Sequence, residues 1–255
     1  MQKIVVIPAR LASTRLPRKL LLDLGGKSIL QRVYEQCLLA EEIDAVYIAT
    51  DSIEIYKACQ AFTDRLIMTA ETHSSGTDRI AEAVATLDCQ VIVNVQGDEP
   101  FINPKLITQI AQAVEGNTAP MSSAMTRITQ TDELRDPNVV KVVVNHQSQA
   151  LYFSRSVIPH HRDDWETLMH KHASIPETLP FYKHIGIYGY SRDFLLYYTQ
   201  MAPSYLESVE KLEQLRVLEN GYAIQMIETA EIGLGIDTPE DYQEAQAILA
   251  QGTHS

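Results

Sequence analysis

The stretch KIVVIPARLASTRLPRK, residues 3–19, sets the frame for the rest of the chain. Lys3–Ile7 is short, β-branched and apolar, which reads as a strand buried on both faces, stopped by Pro8. A polar loop carrying Arg10, Arg15, Arg18 and Lys19 follows. Beyond it Ile29, Leu30, Val33, Cys37 and Leu38 recur near the helical period and predict a helix over 28–40. Ala45–Ala49 is the next strand, and Asp51 or Ser52 caps a helix ending near Phe62. Leu66–Met68 is a third strand, Gly76 or Thr77 opens a helix through Leu87, Val91–Val95 is a fourth strand, and a helix covers Pro104–Val114. Short apolar strands alternating with helices require crossover connections. The fold class is therefore α/β: a Rossmann-like, mostly parallel sheet flanked by helices.

After residue 115 the pattern changes. Val139–Val144 and Ala150–Ser154 form a hairpin around Asn145–Gln149, residues 159–180 read as a long loop, and Phe181–Tyr190 returns as a strand. Leu206, Val209, Leu212, Leu215 and Leu218 predict one helix over Leu206–Leu218. Ala223–Ile227 is a strand, and a closing helix over Pro239–Leu249 is capped by Asp237 or Thr238. No repeat, low-complexity segment or linker divides the chain. We expect one domain over 1–250, with a β-rich section inserted at about 119–190 and a tail at 251–255.

The 255 residues carry 21 Lys+Arg against 33 Asp+Glu, a formal charge of −12, and 45% are hydrophobic. That composition excludes a disordered chain, a collagen-like repeat and a disulfide-stapled miniprotein. The acidic balance argues against a nucleic-acid partner, which needs a basic face. Cys37, Cys59 and Cys89 are an odd number without a CxxC pair, so they read as buried small hydrophobes in a reducing compartment. The N-terminal apolar run is too short for a signal peptide, and no stretch approaches the ~20 apolar residues of a membrane span. We expect a soluble, cytoplasmic protein with no membrane partner.

Three segments carry chemistry. Arg10, Arg15, Arg18 and Lys19 follow the first strand, at the sheet edge where open α/β folds bind ligands. Arg clamps phosphate through paired N–H groups and Lys acts as a point charge, so the loop reads as an anion site or as a solvated basic loop. The GxxxxGK[ST] spacing is absent, which disfavours a P-loop ATPase. Val93–Pro100 places Asp98 at the end of the fourth strand, on the same edge. There it is either a turn residue or a Mg²⁺ ligand, since Mg²⁺ takes one or two carboxylates together with phosphate oxygens. Asp237, in Gly235–Asp241, is either a helix cap or a second carboxylate for the same ion. Spacing alone does not show that Asp98 and Asp237 meet.

PARLASTRLPRK (8–19), ATD (49–51), SSGTDR (74–79), NVQGDEP (94–100), ALYFSR (150–155), YKHIGIYGY (182–190), VEKLEQLRVLENG (209–221) and IDTPED (236–241) occur in this order. In this, from about residue 3 to 245, the sequence resembles the 3-deoxy-manno-octulosonate cytidylyltransferases, which make CMP-Kdo. The basic loop alone is shared with many sugar nucleotidyltransferases; ALYFSR, HIGIYGY and LEQLR together are far more specific. The resemblance implies that Arg10, Arg15 and Lys19 hold the CTP triphosphate, with Ala9 beside them, and that Asp98 acts with them in catalysis. It implies that Ser75, Gly76 and Gln96 select cytosine or ribose, with Arg79 in the same pocket. Arg155, His184, Tyr188, Glu213 and Gln214 would form the sugar pocket, with Asp98 and Asp237 as the Mg²⁺ ligands. A homodimer built through the β-rich section is also implied.

The implied reaction is attack by the sugar's anomeric hydroxyl on the α-phosphorus of CTP, with loss of diphosphate, for lipopolysaccharide biosynthesis. The 8-amino-3,8-dideoxy sugar is the alternative substrate, and a catalytically weak nucleotide-sugar binding protein a remote one. One departure stands out. The family loop reads LPGK followed by Pro, whereas here Arg18 replaces the glycine and Leu20 the proline. Either the loop takes another path or Arg18 itself touches phosphate.

Overall fold

The computed structural model describes residues 2–13, 15–73, 75–116, 119–163, 165–169, 174–230 and 233–252. Strand β1 (Lys3–Ala9) runs on through Pro8, pairing Pro8 and Ala9 with Ala49 and Thr50, past the point where its ladder on the other side ends at Val6. Helix α1 (Ile29–Leu38) starts where the Ser28 side chain accepts from Gln31 N. It leads to β2 (Ala45–Thr50), α2 (Ile53–Cys59), β3 (Leu66–Met68), α3 (Gly76–Val84), β4 (Val91–Asn94) and α4 (Pro104–Glu115). Ser52, not Asp51, caps α2, which stops at Cys59, short of Phe62.

Next come β5 (Met121–Arg127), α5 (Thr131–Arg135), β6 (Lys141–Val144), β7 (Ala150–Ser154), α6 (Trp165–Met169) and β8 (Tyr182–Ser191). The chain closes with α7 (Arg192–Tyr198), α8 (Tyr205–Glu210), α9 (Leu215–Glu219), β9 (Ile224–Glu228) and α10 (Pro239–Gly252). Residues 251 and 252, read as part of the tail, thus still belong to the last helix, while 253–255 lie outside the described residues.

The sheet order is β3-β2-β1-β4-β8-β5-β9, with β6 and β7 attached through β8. Along this path β8 alone runs against the others. The sheet is therefore mixed, with mostly parallel strands flanked by helices. Alternation along β1 feeds both faces: Ile4 and Val6 join one apolar cluster, and Val5 and Ile7 join the other. Of the stretch 119–190, β5 and β8 lie within the main sheet and β6 and β7 form the expected antiparallel hairpin. Residues 159–180 are not wholly irregular, since α6 falls among them. Cys37, Cys59 and Cys89 are buried free thiols, pushed up in pKa by desolvation.

The single helix expected over Leu206–Leu218 is not formed. Lys211 stands at φ 57°, in the left-handed region, and separates α8 from α9. Geometry explains the break. Side chains spaced by three drift about 60° around a helix at each step, so five of them cannot all face one core. Breaking the helix buries Leu212 and Leu215 and leaves Val209 out in solvent. A capping box at Ser204 and Glu207 starts α8, and Glu207 accepts from Arg216 Nε at 2.8 Å and Nη2 at 2.5 Å, tying α9 back to α8.

Candidate active site

The loops leaving β1 and β4 face each other at one edge of the sheet. The Ile236 N–H donates to the Asp98 carbonyl at 2.9 Å, and Ile236 is buried beside Leu24 and Ile29. This anchor brings two segments far apart in sequence side by side. The cap of α10 is Thr238: its Oγ1 accepts from Asp241 N at 3.2 Å, while Asp241 Oδ2 accepts from Asp237 N and Thr238 N. Capping therefore leaves the Asp237 carboxylate available.

That carboxylate meets Asp98. Lys19 Nζ donates to Asp98 Oδ2 at 2.6 Å and to Asp237 Oδ1 at 2.8 Å, and Arg15 Nη2 donates to Asp237 Oδ2 at 3.0 Å. Burial pulls the Lys19 ammonium down in pKa, but the two carboxylates outweigh it and hold it above the ordinary lysine value. Glu99 lies against them, and burial, followed by the charges of Asp98 and Asp237, pushes it up to about 7. A β-carbon on Gly235 would stand 3.0 Å from Glu99 Oε1, so a bare backbone is what admits this third carboxyl. One positive group already sits between Asp98 and Asp237, so their spacing and chemistry suit a hard cation with oxygen ligands. Among the described residues no group of three or more His, Cys, Asp or Glu has metal-binding geometry, so such an ion would take its remaining ligands from outside that set.

Arg18 takes φ 56°, the conformation a glycine adopts without strain, so the loop keeps its left-handed turn. The Arg18 guanidinium is turned to Glu54 on α2. Leu20 is buried and packs where a β-carbon on Gly97 would meet its Cδ1 at 3.3 Å. Apolar packing thus fixes the loop where a proline would stiffen it.

Two adjoining clefts share Pro8, Arg10, Ala12 and Gln96. The smaller, about 380 Å³, is lined by Arg10, Arg15, Lys19, Asp98 and Asp237. The larger, about 850 Å³, holds Ala9, Ser75, Gly76, Arg79, Gln96 and Glu213. The Ser75 hydroxyl caps α3, accepting from Asp78 N at 3.1 Å. Arg79 is buried and donates to Thr69 Oγ1 and Asp51 Oδ2, each at 2.5 Å. Gln96 Nε2 lies 3.4 Å from Asn94 Oδ1. Glu213 Oε2 accepts from Thr77 Oγ1 at 3.1 Å, and burial raises its pKa. The break after α8 places it there, between the two helices and not on one of them.

The other four residues of the expected sugar pocket do not line either cleft. Arg155 donates through Nε to the Glu210 carbonyl at 2.8 Å and through Nη1 to the Pro137 carbonyl at 3.0 Å. His184 Nε2 lies 2.9 Å from Ser123 Oγ, its ring stands edge-on to Phe153, and burial drives it down to about 4. Tyr188 packs on His184, and burial followed by the Glu213 charge raises its phenol well above the usual value. Gln214 is 3% exposed, and its Nε2 is a buried donor without a hydrogen-bond partner among the described residues. The larger cleft also exposes residues that the sequence reading did not assign to a site: Asp51, Ile53, Met68, Glu71 and His73. In the sequence Asp51 offers itself as a helix cap, and no local pattern marks the others.

Residues 4–231 match the model of a family described as "Cytidylyltransferase". The 3-deoxy-manno-octulosonate cytidylyltransferase of Geotalea uraniireducens is 48% identical over 240 residues, spanning 94% of this chain and 95% of its own. That of Trichlorobacter lovleyi is 44% identical over 253 residues, 99% of this chain and 100% of its own. The chain belongs to the 3-deoxy-manno-octulosonate cytidylyltransferase family. A solved structure of CMP:2-keto-3-deoxy-manno-octonic acid synthetase complexed with CTP superimposes with a TM-score of 0.90 at 39% identity, covering 99% of this chain and 100% of that one. The architecture of this cytidylyltransferase thus matches that of the synthetase over nearly the whole chain. No helix among its described residues is long and apolar enough to cross a membrane.

Proposed function

We propose that this cytidylyltransferase joins CTP and 3-deoxy-D-manno-octulosonate (Kdo) to give CMP-Kdo and diphosphate. The observation that carries the reading is the convergence of Lys19, Asp98 and Asp237 in a small cleft that opens through Arg10 and Gln96 into a larger one. A triphosphate fits the first and a nucleoside the second. Arg10, Arg15 and Lys19 neutralise and orient the triphosphate. Ser75, Gly76, Gln96 and Arg79 frame the nucleoside, and Gly76 lets it approach the backbone at the start of α3. Glu213, from the far side, faces the sugar hydroxyls. Arg155, His184, Tyr188 and Gln214 reach the sugar only after rearrangement; the partnerless Gln214 amide is the one of these most in need of a ligand acceptor.

The anomeric oxygen attacks the α-phosphorus, the bond to the bridging oxygen of diphosphate breaks, and the hydroxyl proton leaves to solvent. Catalysis is chiefly positioning and charge stabilisation. Asp98 and Asp237 would hold Mg²⁺, which when bound neutralises phosphate charge and lowers the pKa of the attacking hydroxyl. A homodimer formed through the β-rich section, where Leu151 on β7 is an exposed apolar side chain, belongs to the same proposal. A cytoplasmic role in supplying lipopolysaccharide synthesis follows from the reaction. The test is the mass of the product formed from CTP and Mg²⁺ with Kdo and, in parallel, its 8-amino analogue. CMP-Kdo as the faster product is expected; no CMP-sugar from either overturns the reading.

A further inference from the structure

One wall of the larger cleft is formed from residues 69–73, which follow β3, and α3 holds this stretch at three points. Arg79 Nη1 donates to Thr69 Oγ1 at 2.5 Å. One turn further along α3, Glu82 Oε2 accepts from the Ala70 N–H at 2.9 Å. The same oxygen is in hydrogen-bond contact with His73 Nε2. A single carboxylate oxygen thus takes one bond from main chain and one from an imidazole. His73 lines the cleft; Glu82 does not.

The consequence is chemical. A carboxylate facing Nε2 requires the hydrogen on that nitrogen, which fixes the ring's orientation and leaves Nδ1 as the ring nitrogen not engaged by Glu82. The contacts from His73 and Ala70 keep Glu82 ionised by lowering its pKa below the usual carboxylate value. Met68, Glu71 and Ile53 share this side of the cleft, and a nitrogen whose direction is fixed by a carboxylate is the kind of placed polar atom that gives a pocket its specificity.

We propose that His73 contacts the nucleoside of CTP and that Glu82 is the positioning residue that orients it. The inference rests on the reading that the larger cleft takes the nucleoside. The loop is pinned to the same helix whose first turn, at Ser75 and Gly76, forms the cleft floor. Wall and floor therefore move together, and Glu82 links them.

The test is calorimetric binding of CTP and of inorganic triphosphate, alongside steady-state turnover and thermal melting. His73→Ala and Glu82→Ala should each weaken CTP roughly five- to tenfold, as expected for one lost hydrogen bond. Triphosphate affinity and kcat should stay within about twofold of the parent values. Glu82→Gln keeps an oxygen for Ala70 and His73, so it should restore most of the affinity. The double variant should be no weaker than either single one, because both remove the same contact. A purely structural clamp would instead lower the melting temperature and weaken both ligands together, and that result overturns the proposal. So do additive losses in the double variant. If Arg10→Gln and Gly76→Val both leave CTP affinity unchanged, the nucleotide is bound elsewhere and the underlying reading fails as well.

Discussion

Replacing Lys19 by Met keeps an apolar stem of similar length in the buried loop while removing the ammonium between Asp98 and Asp237. The two acceptor oxygens lie 2.6 and 2.8 Å from one nitrogen, so they can be no more than about 5.4 Å apart. At ~5 Å and an effective dielectric of ~20–40, their unrelieved repulsion is about 1.5–3 kcal/mol. Arg15 remains on Asp237, which favours the lower half of that range. For a chain of this size each kcal/mol moves the midpoint by roughly 2–4 °C, so the variant should melt roughly 4–8 °C below the parent at low salt and pH 8. Turnover should fall by about 10²–10³, the usual effect of removing a group that stabilises developing charge. Scanning fluorimetry and a diphosphate-release assay measure both. The decisive control is the double variant Lys19→Met with Asp237→Asn, in which one of the repelling carboxylates is neutral. It should recover at least half of the lost stability. A double variant less stable than Lys19→Met, or a Lys19→Met protein that melts with the parent, would refute the charge argument.

Asp98→Asn and Asp237→Asn should each cut Mg²⁺-dependent turnover by orders of magnitude while the far-ultraviolet spectrum stays that of a folded chain; near-normal rates in both would remove the carboxylate pair from the mechanism. His184, held near 4 by burial against about 6.5 when unfolded, is neutral in the fold. Below pH 6.5 the unfolded chain gains a proton that the folded one refuses, so stability drains away between pH 6.5 and 4, by up to about 3 kcal/mol. Denaturant titrations of His184→Gln should show a flatter profile across that window, and an identical slope in parent and variant would count against the buried neutral ring. Arg18→Gly should leave CTP kinetics unchanged within about twofold, because the guanidinium faces Glu54. Its stability should shift by less than about 1 kcal/mol, since relief of the left-handed strain is offset by a lost surface pair and a more flexible unfolded chain.

The first half of the fold is legible because each strand is an unbroken apolar run and each helix opens on a side-chain cap, as at Ser28 and Ser52. Strand β5 is not legible in the sequence for a packing reason. Its Ser122 and Ser123 are fully buried, and Ser122 Oγ reaches the Ile110 carbonyl at 2.8 Å. A β-carbon on the neighbouring Gly189 would fall 2.4 Å from that Oγ, so small polar residues replace the branched ones that announce a strand. The leucines after Ser204 misled in the opposite direction: their spacing looks helical, but their drift is not compatible with one buried stripe. At the site, residue types and their position at strand ends pointed to phosphate and metal chemistry. Which side chains meet depended on single tertiary bonds, such as Ile236 to Asp98, that no local pattern encodes. The ordinary sequence around Glu82 and His73 hid a contact that only the packing of a loop on α3 creates.

Strand β8 also bears on how the molecule moves. Because this one antiparallel strand is bonded to β4 on one side and β5 on the other, the two halves of the sheet are seamed along their length. A hinge between a nucleotide lobe and a sugar lobe would have to tear that seam. Closure over the reactants is therefore left to the loops above the sheet rim and to side-chain shifts such as those required of His184 and Tyr188 on β8, while the strands beneath stay paired.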